Sequence, residues 1–356
     1  MLLPALLLVV LQGPPAVPPP PQDAVDPALR SAVERFFATQ EAEDVQAYLD
    51  LWSATAARPA ADQLTYIFES GDDRFTDLVI ERASVIGTQA RVRLRVSRTR
   101  TDLRAKQADG SPAVYNSRLA WTLTFVREGD DWRLFREGAP VDELALALLT
   151  AKMPEERKAL LDSEPELLNE RLLDAMSRRG DAEAQKNAYP SALIIYSRVL
   201  EVARTIGDRR GEGRALQNVG NAHYFLRDYP RALQAFEQRL ALEREGGSEE
   251  GIAGALSGVG SVRYALFEYG ASLAAYREAV TILEKLDDKL SLAAALISTG
   301  NVLYIQGDLE GAIADYARSR DCYRASFYKA GEARALELSD EHVYFVSAAN
   351  YLYALR

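Results

Sequence analysis

Displaced by 40 residues, the second half of this sequence falls back onto itself. Gly180, Gly220, Gly260 and Gly300 coincide, and so do Ala215, Ala255, Ala295 and Ala335, each followed by leucine (Leu216, Leu256, Leu296, Leu336). Tyr224, Tyr264, Tyr304 and Tyr344 align; so do Tyr189, Tyr229, Tyr269 and Leu309. Ala192, Ala232, Ser272 and Ala312 form another set, followed by Tyr196, Phe236, Tyr276 and Tyr316. A period of this length marks a unit that cannot bury its own apolar face and must stack on its neighbours to do so. From about Val141 onward there are few strand signals, so the expected unit is a helix–turn–helix. Where two helices cross closely, only a small residue fits and a large one fills the gap beside it. The glycine and Ala/Ser positions are therefore the expected crossing points, and the aromatics the fillers. Replacing Gly260 with leucine is expected to overpack its crossing at a cost of roughly 1–3 kcal/mol. Asp228, Glu268 and Asp308 stand where a first helix ends and the second begins, where they can face the free N–H groups of the helix that follows.

The first half reads differently. Asp26-Pro27 pairs an N-cap residue with proline at the first helical position, and Leu29, Val33, Phe36 and Phe37 follow at helical spacing. A second helical pattern from Asp44 carries Val45, Tyr48, Leu49 and Trp52. After Asp72-Asp73 the period falls to two. Leu78 and Ile80, then Val92, Leu94 and Val96, alternate with polar residues that include Arg91, Arg93 and Arg95. Gly87-Thr88 reads as a hairpin turn between these runs. Leu119, Trp121, Leu123 and Phe125 form a further strand, Gly129-Asp130 turns, and Trp132 with Leu134 returns. Helices followed by an antiparallel sheet, ending near Gly138-Ala139-Pro140, make this an α+β domain.

A helix pair followed by long strands that close with Phe125-Val-Arg-Glu-Gly-Asp-Asp-Trp-Arg-Leu-Phe135 resembles the cone-shaped α+β fold of nuclear transport factor 2-like (SnoaL- or ketosteroid isomerase-like) domains, over about Asp26 to Pro140. The resemblance implies a curved sheet wrapped around a helix, with an apolar pocket at its open end and room for a small apolar ligand. Some relatives use that pocket catalytically; many only bind or dimerise. Such chemistry needs an inward-facing carboxylate and a hydrogen-bond donor. Tyr48, Asp50, Tyr66, Glu69 and Asp77 are candidates by residue type. The arginine alternation reads as a solvated sheet face, or, if a site, one for an acidic partner surface.

In the second half, the order Leu216, Val219-Gly220, Asp228-Tyr229, Ala232, Phe236 resembles the tetratricopeptide repeat. The repeats here run longer than that family's usual length of about 34 residues. Leucine occupies the usual tryptophan position. The family's first-helix tyrosine falls at His223, Arg263 and Leu303, with tyrosines one residue later. The resemblance covers roughly Arg171 to Val346 and implies an all-α solenoid whose first helices line a concave, peptide-holding surface. Carried over position by position, that surface takes Gln217, Asn221 and Tyr224, then Ser257, Ser261 and Tyr264, then Ile297, Asn301 and Tyr304. The tyrosines serve either this surface or the core. The asparagines, with donor and acceptor on one side chain, suit a peptide backbone or are simply solvated. The family's carboxylate-binding clamp needs several basic residues, and only Arg214 and Arg263 are near, so a C-terminal carboxylate ligand is not expected. The overall layout also resembles bacterial tetratricopeptide proteins that continue into a CHAT (caspase-like) protease domain, without a Cys–His pair here to support such chemistry.

Composition narrows the partners. The net charge of −10 and the lack of a Lys/Arg run disfavour nucleic acid. One cysteine (Cys322) and two histidines (His223, His342) leave no expected metal site, disulfide or cofactor. His223 and Cys322 read as packing residues, and Gly211-Glu-Gly213 as an inter-repeat turn rather than a phosphate loop. Met1 to Leu11 is an apolar run that spans about 15 Å as a helix, half of a hydrocarbon core, so no stable membrane anchor is expected from it. Its length suits a secretory signal, and Gly13 to Gln22 an extended proline-rich spacer. The expected organisation is a signal and spacer (1–22), an α+β domain (26–140), a helical bridge (141–172) and the repeat array (173–356). The last repeat departs from register, with Leu352 in the alanine position, so Ser347 to Arg356 reads as a divergent cap or as a sign of a longer natural chain. The expected function is a non-enzymatic scaffold for another protein or peptide, bacterial and secreted or periplasmic, otherwise cytoplasmic. The alternative is a small-molecule sensor or enzyme seated in the α+β domain.

Overall fold

The computed structural model describes residues 25–326 and Ala335. The expected signal and spacer (1–22), His342, Leu336, Tyr344 and the stretch Ser347 to Arg356 lie outside the described residues. The chain divides into two compact units, Met1–Leu167 and Leu168–Arg356.

In the first unit, helix α1 (Pro27–Glu41) starts where its cap chemistry dictates. The Asp26 carboxylate accepts from the Ala28 N–H at 2.9 Å, and proline holds the first turn. Leu29, Val33, Phe36 and Phe37 are all buried. Helix α2 (Val45–Asp50) is capped by Asp44, which accepts from Ala47 N at 2.9 Å. A third helix, α3 (Ala61–Glu69), is not legible in the periodicity. It buries only Leu64 and Phe68, and Ala60 at its N-cap has no side-chain acceptor.

Strands β1 (Gly71–Ile86), β2 (Gln89–Lys106), β3 (Pro112–Glu128) and β4 (Asp131–Gly138) form an antiparallel meander in that order. Gly87 (φ 60°) and Gly129 (φ 63°) make the left-handed turns that a side chain would oppose. Val92, Leu94, Val96, Leu123, Phe125, Trp132 and Leu134 face α1–α3 across one core. Shifts of register in β1, between Thr76 and Val79 and between Ile80 and Arg82, bend that strand. The interior that these elements enclose is filled by aromatic rings. Phe36, Phe37 and Phe75 lie 5.6, 5.9 and 6.5 Å from the Trp121 ring, and Tyr48 lies 5.8 Å from Phe36 and 6.1 Å from Phe68.

The opposite face of the sheet is covered too, which corrects the expectation that its arginines are solvated. Helices α4 (Pro140–Thr150) and α5 (Pro154–Ser163), followed by a 3₁₀ turn at Pro165–Leu167, fold back over it. Arg82 donates to the Ser163 carbonyl at 2.7 Å, and Glu143 of α4 accepts from Thr124 of β3 at 3.4 Å. Arg91 is 4% exposed, and Arg93 is held by Glu164 at 3.0 Å. Of the three, only Arg95 keeps an exposed side chain. The stretch 141–172, expected as a bridge, is helical, and its first part belongs to this compact unit.

The second unit is a run of helical hairpins: α6 (Glu170–Gln185) with α7 (Tyr189–Ile206), α8 (Arg209–Phe225) with α9 (Tyr229–Gly246), α10 (Glu249–Ala265) with α11 (Tyr269–Leu286), and α12 (Lys289–Gln306) with α13 (Leu309–Ala325). The period of 40 also governs their turns. Asn187, Arg227, Phe267 and Gly307 are all left-handed ahead of the second helices; Gly207, Gly247 and Asp287 are left-handed ahead of the first. Each first helix is capped by a side chain, from Asn169, Asp208, Ser248 and Asp288. Of the expected second-helix caps, Asp228 and Asp308 accept from the backbone at 3.4 and 3.0 Å. Glu268 occupies the cap position without capping, its longer side chain reaching Arg263 instead. Gly211-Glu-Gly213 lies inside the first turn of α8, not in a turn between repeats.

Candidate functional site

The packing positions come first, because they fix which side chains are left to face solvent. A Cβ on Gly180, Gly220, Gly260 or Gly300 would stand 2.5, 2.6, 2.8 or 2.5 Å from the ring of Tyr196, Phe236, Tyr276 or Tyr316. Each ring thus lies directly on a glycine. Ala192, Ala232, Ser272 and Ala312 are fully buried beside them, Ser272 donating to the Gly260 carbonyl at 2.8 Å. Buried tyrosine hydroxyls need a partner, and the residue after each glycine supplies it. Tyr196 donates to Asp181 at 2.7 Å, Tyr276 pairs with Ser261 at 2.9 Å, and Tyr316 donates to Asn301 at 2.9 Å. In the remaining hairpin the ring is Phe236, with no hydroxyl to satisfy. Asn221, in the same register position, is exposed and instead accepts from Gln217 at 3.2 Å.

A cavity of about 390 Å³ opens across first helices α8, α10 and α12. Gln217, Ser257 and Ser261 line it, as the sequence reading expected, together with Glu250, Gly254, Ala294 and Ser298. Its floor is small residues at three- and four-residue spacing on neighbouring helices. Ser257, Ser261 and Ser298 donate to the carbonyls one turn back, at 2.9, 2.9 and 3.1 Å. Arg239 enters from second helix α9, where a reading confined to first helices did not look. It donates to Gln217 and to Glu243 (3.4 Å), and burial pulls its pKa below the ordinary arginine value while Glu243 opposes that shift.

The other expected surface residues are placed as follows. Tyr224 and Tyr264 are half-buried against Tyr229 and Tyr269, at ring distances of 5.8 and 5.7 Å. Ile297 packs between two buried clusters, beside Tyr316 and Tyr323. Asn301 is engaged by Tyr316, and Tyr304 is 38% exposed. The basic residues considered for a carboxylate clamp are already paired: Arg214 with Glu170 at 3.0 Å, Arg263 with Glu268 and Glu237. His223 is half-buried with Nδ1 3.5 Å from Asp228. Burial lowers its pKa, with Asp228 pulling the other way. Burial also raises the pKa of the Cys322 thiol, which leaves it a poor nucleophile.

Of the residues considered for chemistry in the α+β unit, only Tyr48 faces the interior. Asp50, Tyr66, Glu69 and Asp77 are exposed. The carboxylate that meets Tyr48 is Glu137, which accepts from its hydroxyl at 2.5 Å. Burial raises the pKa of both groups. Strand alternation alone puts Glu137 on the other face. An extra residue in β4, Phe135, breaks the register between the Thr124–Arg136 and Phe125–Leu134 pairs and turns Glu137 inward.

No curated protein matches the sequence. Solved structures similar to the chain include BtubC from P. vanneervenii, 14% identical, with 58% of this chain and 91% of that one covered and a TM-score of 0.43. The apo form of RapI is 16% identical, with 60% and 84% covered and a TM-score of 0.45. A member of the NTF2-like family from Streptomyces avermitilis is 18% identical, with 31% and 90% covered and a TM-score of 0.25. A family model of the tetratricopeptide repeat matches residues 171–245 and 251–325, each match spanning two of the helical hairpins. Those two segments of the chain are tetratricopeptide repeats.

Proposed function

We propose that the chain is a protein-interaction scaffold that holds an extended peptide or partner helix along the first helices of its repeats. The observation that carries this reading is the cavity of about 390 Å³ spanning α8, α10 and α12, with its small-residue floor. Glycine, alanine and serine let a peptide backbone approach closely. Gln217 and Arg239 provide donors and acceptors at one wall, Asn221 adjoins it through its bond from Gln217, and Glu250 adds a negative charge. Asn301 contributes to the core instead, through Tyr316, so Gln217 and Asn221 are the better test. The experiment is cross-linking and mass spectrometry of the chain in its native source, followed by binding of the recovered segment as a synthetic peptide. Gln217→Ala with Asn221→Ala is expected to weaken that peptide about tenfold or more at unchanged melting temperature. Unchanged affinity would remove the groove from the proposal.

A scaffold of this kind does no chemistry, and the α+β unit is proposed as non-enzymatic on the same reading: its interior is packed with aromatic rings around the Tyr48–Glu137 pair. Turnover lost on Glu137→Gln would reverse that. Export to a bacterial periplasm or exterior rests on the apolar run Met1 to Leu11, and the mature N-terminus read by mass spectrometry tests it.

A further inference from the structure

The outer face of the sheet carries one row of side chains across all four strands. The register sets Ser84 of β1 opposite Arg91 of β2, Arg91 opposite Thr124 of β3, and Thr124 opposite Arg136 of β4. Helices α4 and α5 roof this row and leave a cavity of about 520 Å³, within the ordinary range for small-molecule sites. Arg91 is 4% exposed, yet none of its three guanidinium nitrogens has a hydrogen-bond partner, and the buried Ser84 hydroxyl is in the same condition. Both line the cavity. A guanidinium cannot shed its proton to escape burial, so its charge must be met.

The carboxylates nearby are committed elsewhere. Glu143 accepts from Arg136 at 3.2 Å and Thr124 at 3.4 Å, and Glu164 from Arg93 at 3.0 Å. Glu156 accepts from the Lys152 and Met153 N–H groups at 3.1 and 3.3 Å, at the start of α5. The lining itself carries Arg91, Arg136 and Lys152 against Glu156, a positive excess, and the Arg91 guanidinium has no hydrogen-bonded carboxylate, Glu164 and Glu143 acting on it through charge alone. Phe135, on the outer face by strand alternation after Leu134, and Leu160 supply apolar wall.

We propose that this cavity binds a small monocarboxylate, its carboxylate on the Arg91 fork and the Ser84 hydroxyl and its apolar body against Phe135 and Leu160. The planar fork matches two carboxylate oxygens, and the apolar wall of Phe135 and Leu160 suits an organic body that inorganic phosphate lacks. The site lies on the opposite face of the sheet from the aromatic interior and is independent of the repeat surface. Its function is recognition; no bond is made or broken.

The test is titration calorimetry on the full chain with hexanoate, benzoate and phenylacetate, with benzamide and inorganic phosphate as controls. At least one of the three carboxylates is expected to bind, benzamide is not, and Arg91→Met is expected to weaken binding at least about tenfold. Ser84→Ala, which keeps the guanidinium, is expected to weaken it less and stands as the test if Arg91→Met fails to fold. Equal binding of benzoate and benzamide, preference for phosphate, or unchanged affinity in both variants would overturn the proposal. So would no binding of any carboxylate at millimolar concentration, which would mean the cavity holds water only.

Discussion

The Tyr316 ring has no exposed surface and lies where a Cβ on Gly300 would stand, 2.5 Å from its Cε1 atom. Neither partner can yield, so Gly300→Ala is expected to cost about 1–3 kcal/mol in denaturant unfolding. Gly246, at the end of α9 with nothing near its Cβ position, is the control. There alanine is expected to be neutral or to stabilise by about 0.4–1 kcal/mol. The hydroxyl pairings give a second test at this scale. Tyr316→Phe leaves Asn301 without its donor and is expected to cost about 0.5–1.5 kcal/mol. Phe236→Tyr places a hydroxyl where Asn221 stands in the register of Asp181, Ser261 and Asn301, and is expected to change stability by less than about 1 kcal/mol. A loss well beyond that would show that Asn221 cannot reach the ring. The glycine–aromatic pairs were legible in the sequence, because a steric rule repeats with the period. The difference between Asn221 and Asn301 was not, since it depends on whether a residue 15 positions later carries a hydroxyl, and repeat alignment treats the two asparagines alike.

At the scale of elements, caps and bulges separate what local sequence dictates from what tertiary packing decides. Asp308 caps α13 through Gly311 N at 3.0 Å, and Asp308→Ala is expected to cost about 1 kcal/mol. Glu268→Ala, at the same register position without a cap bond, is expected to cost less than half of that by the same unfolding measurement. Strand β4 shows the limit of periodicity. Its alternation read correctly from Trp132 to Phe135, but one extra residue then sent Glu137 to the interior. The outer face was misread for a related reason: arginines alternating with valines look solvated until helices from residues 140–163 cover them. Glu137 also yields a pH prediction. Burial raises its pKa in the folded state, so the native protein holds that proton more tightly than the unfolded chain. Its stabilising contribution is therefore present below the ordinary glutamate range and lost as pH rises through the folded value. Glu137→Gln, which keeps an oxygen for the Tyr48 hydroxyl, is expected to be more stable than the parent at pH 7. That advantage should shrink as the pH falls toward 4. A gain independent of pH would assign the effect to packing instead of charge.

At the scale of the whole molecule, the distribution of one residue type makes the two units separately observable. The chain has three tryptophans, Trp52, Trp121 and Trp132, and all lie in the first unit, packed into its aromatic core. The eight helices α6–α13 lie in the second unit and dominate the helical signal. Tryptophan fluorescence thus reports the α+β unit, and far-ultraviolet circular dichroism mainly the repeats. A stack of hairpins is stabilised hairpin by hairpin through neighbour contacts, so its unfolding broadens and need not track a separate core. The expected result in urea is two transitions that do not coincide. Gly300→Ala should shift only the dichroism, and Glu137→Gln only the fluorescence. Coincident curves that move together with either substitution would show that the units unfold as one, and ligand binding under α4 and α5 would then stabilise the repeats as well. Separate curves would confine that stabilisation to fluorescence, making the tryptophans a direct reporter for a carboxylate bound beside Arg91.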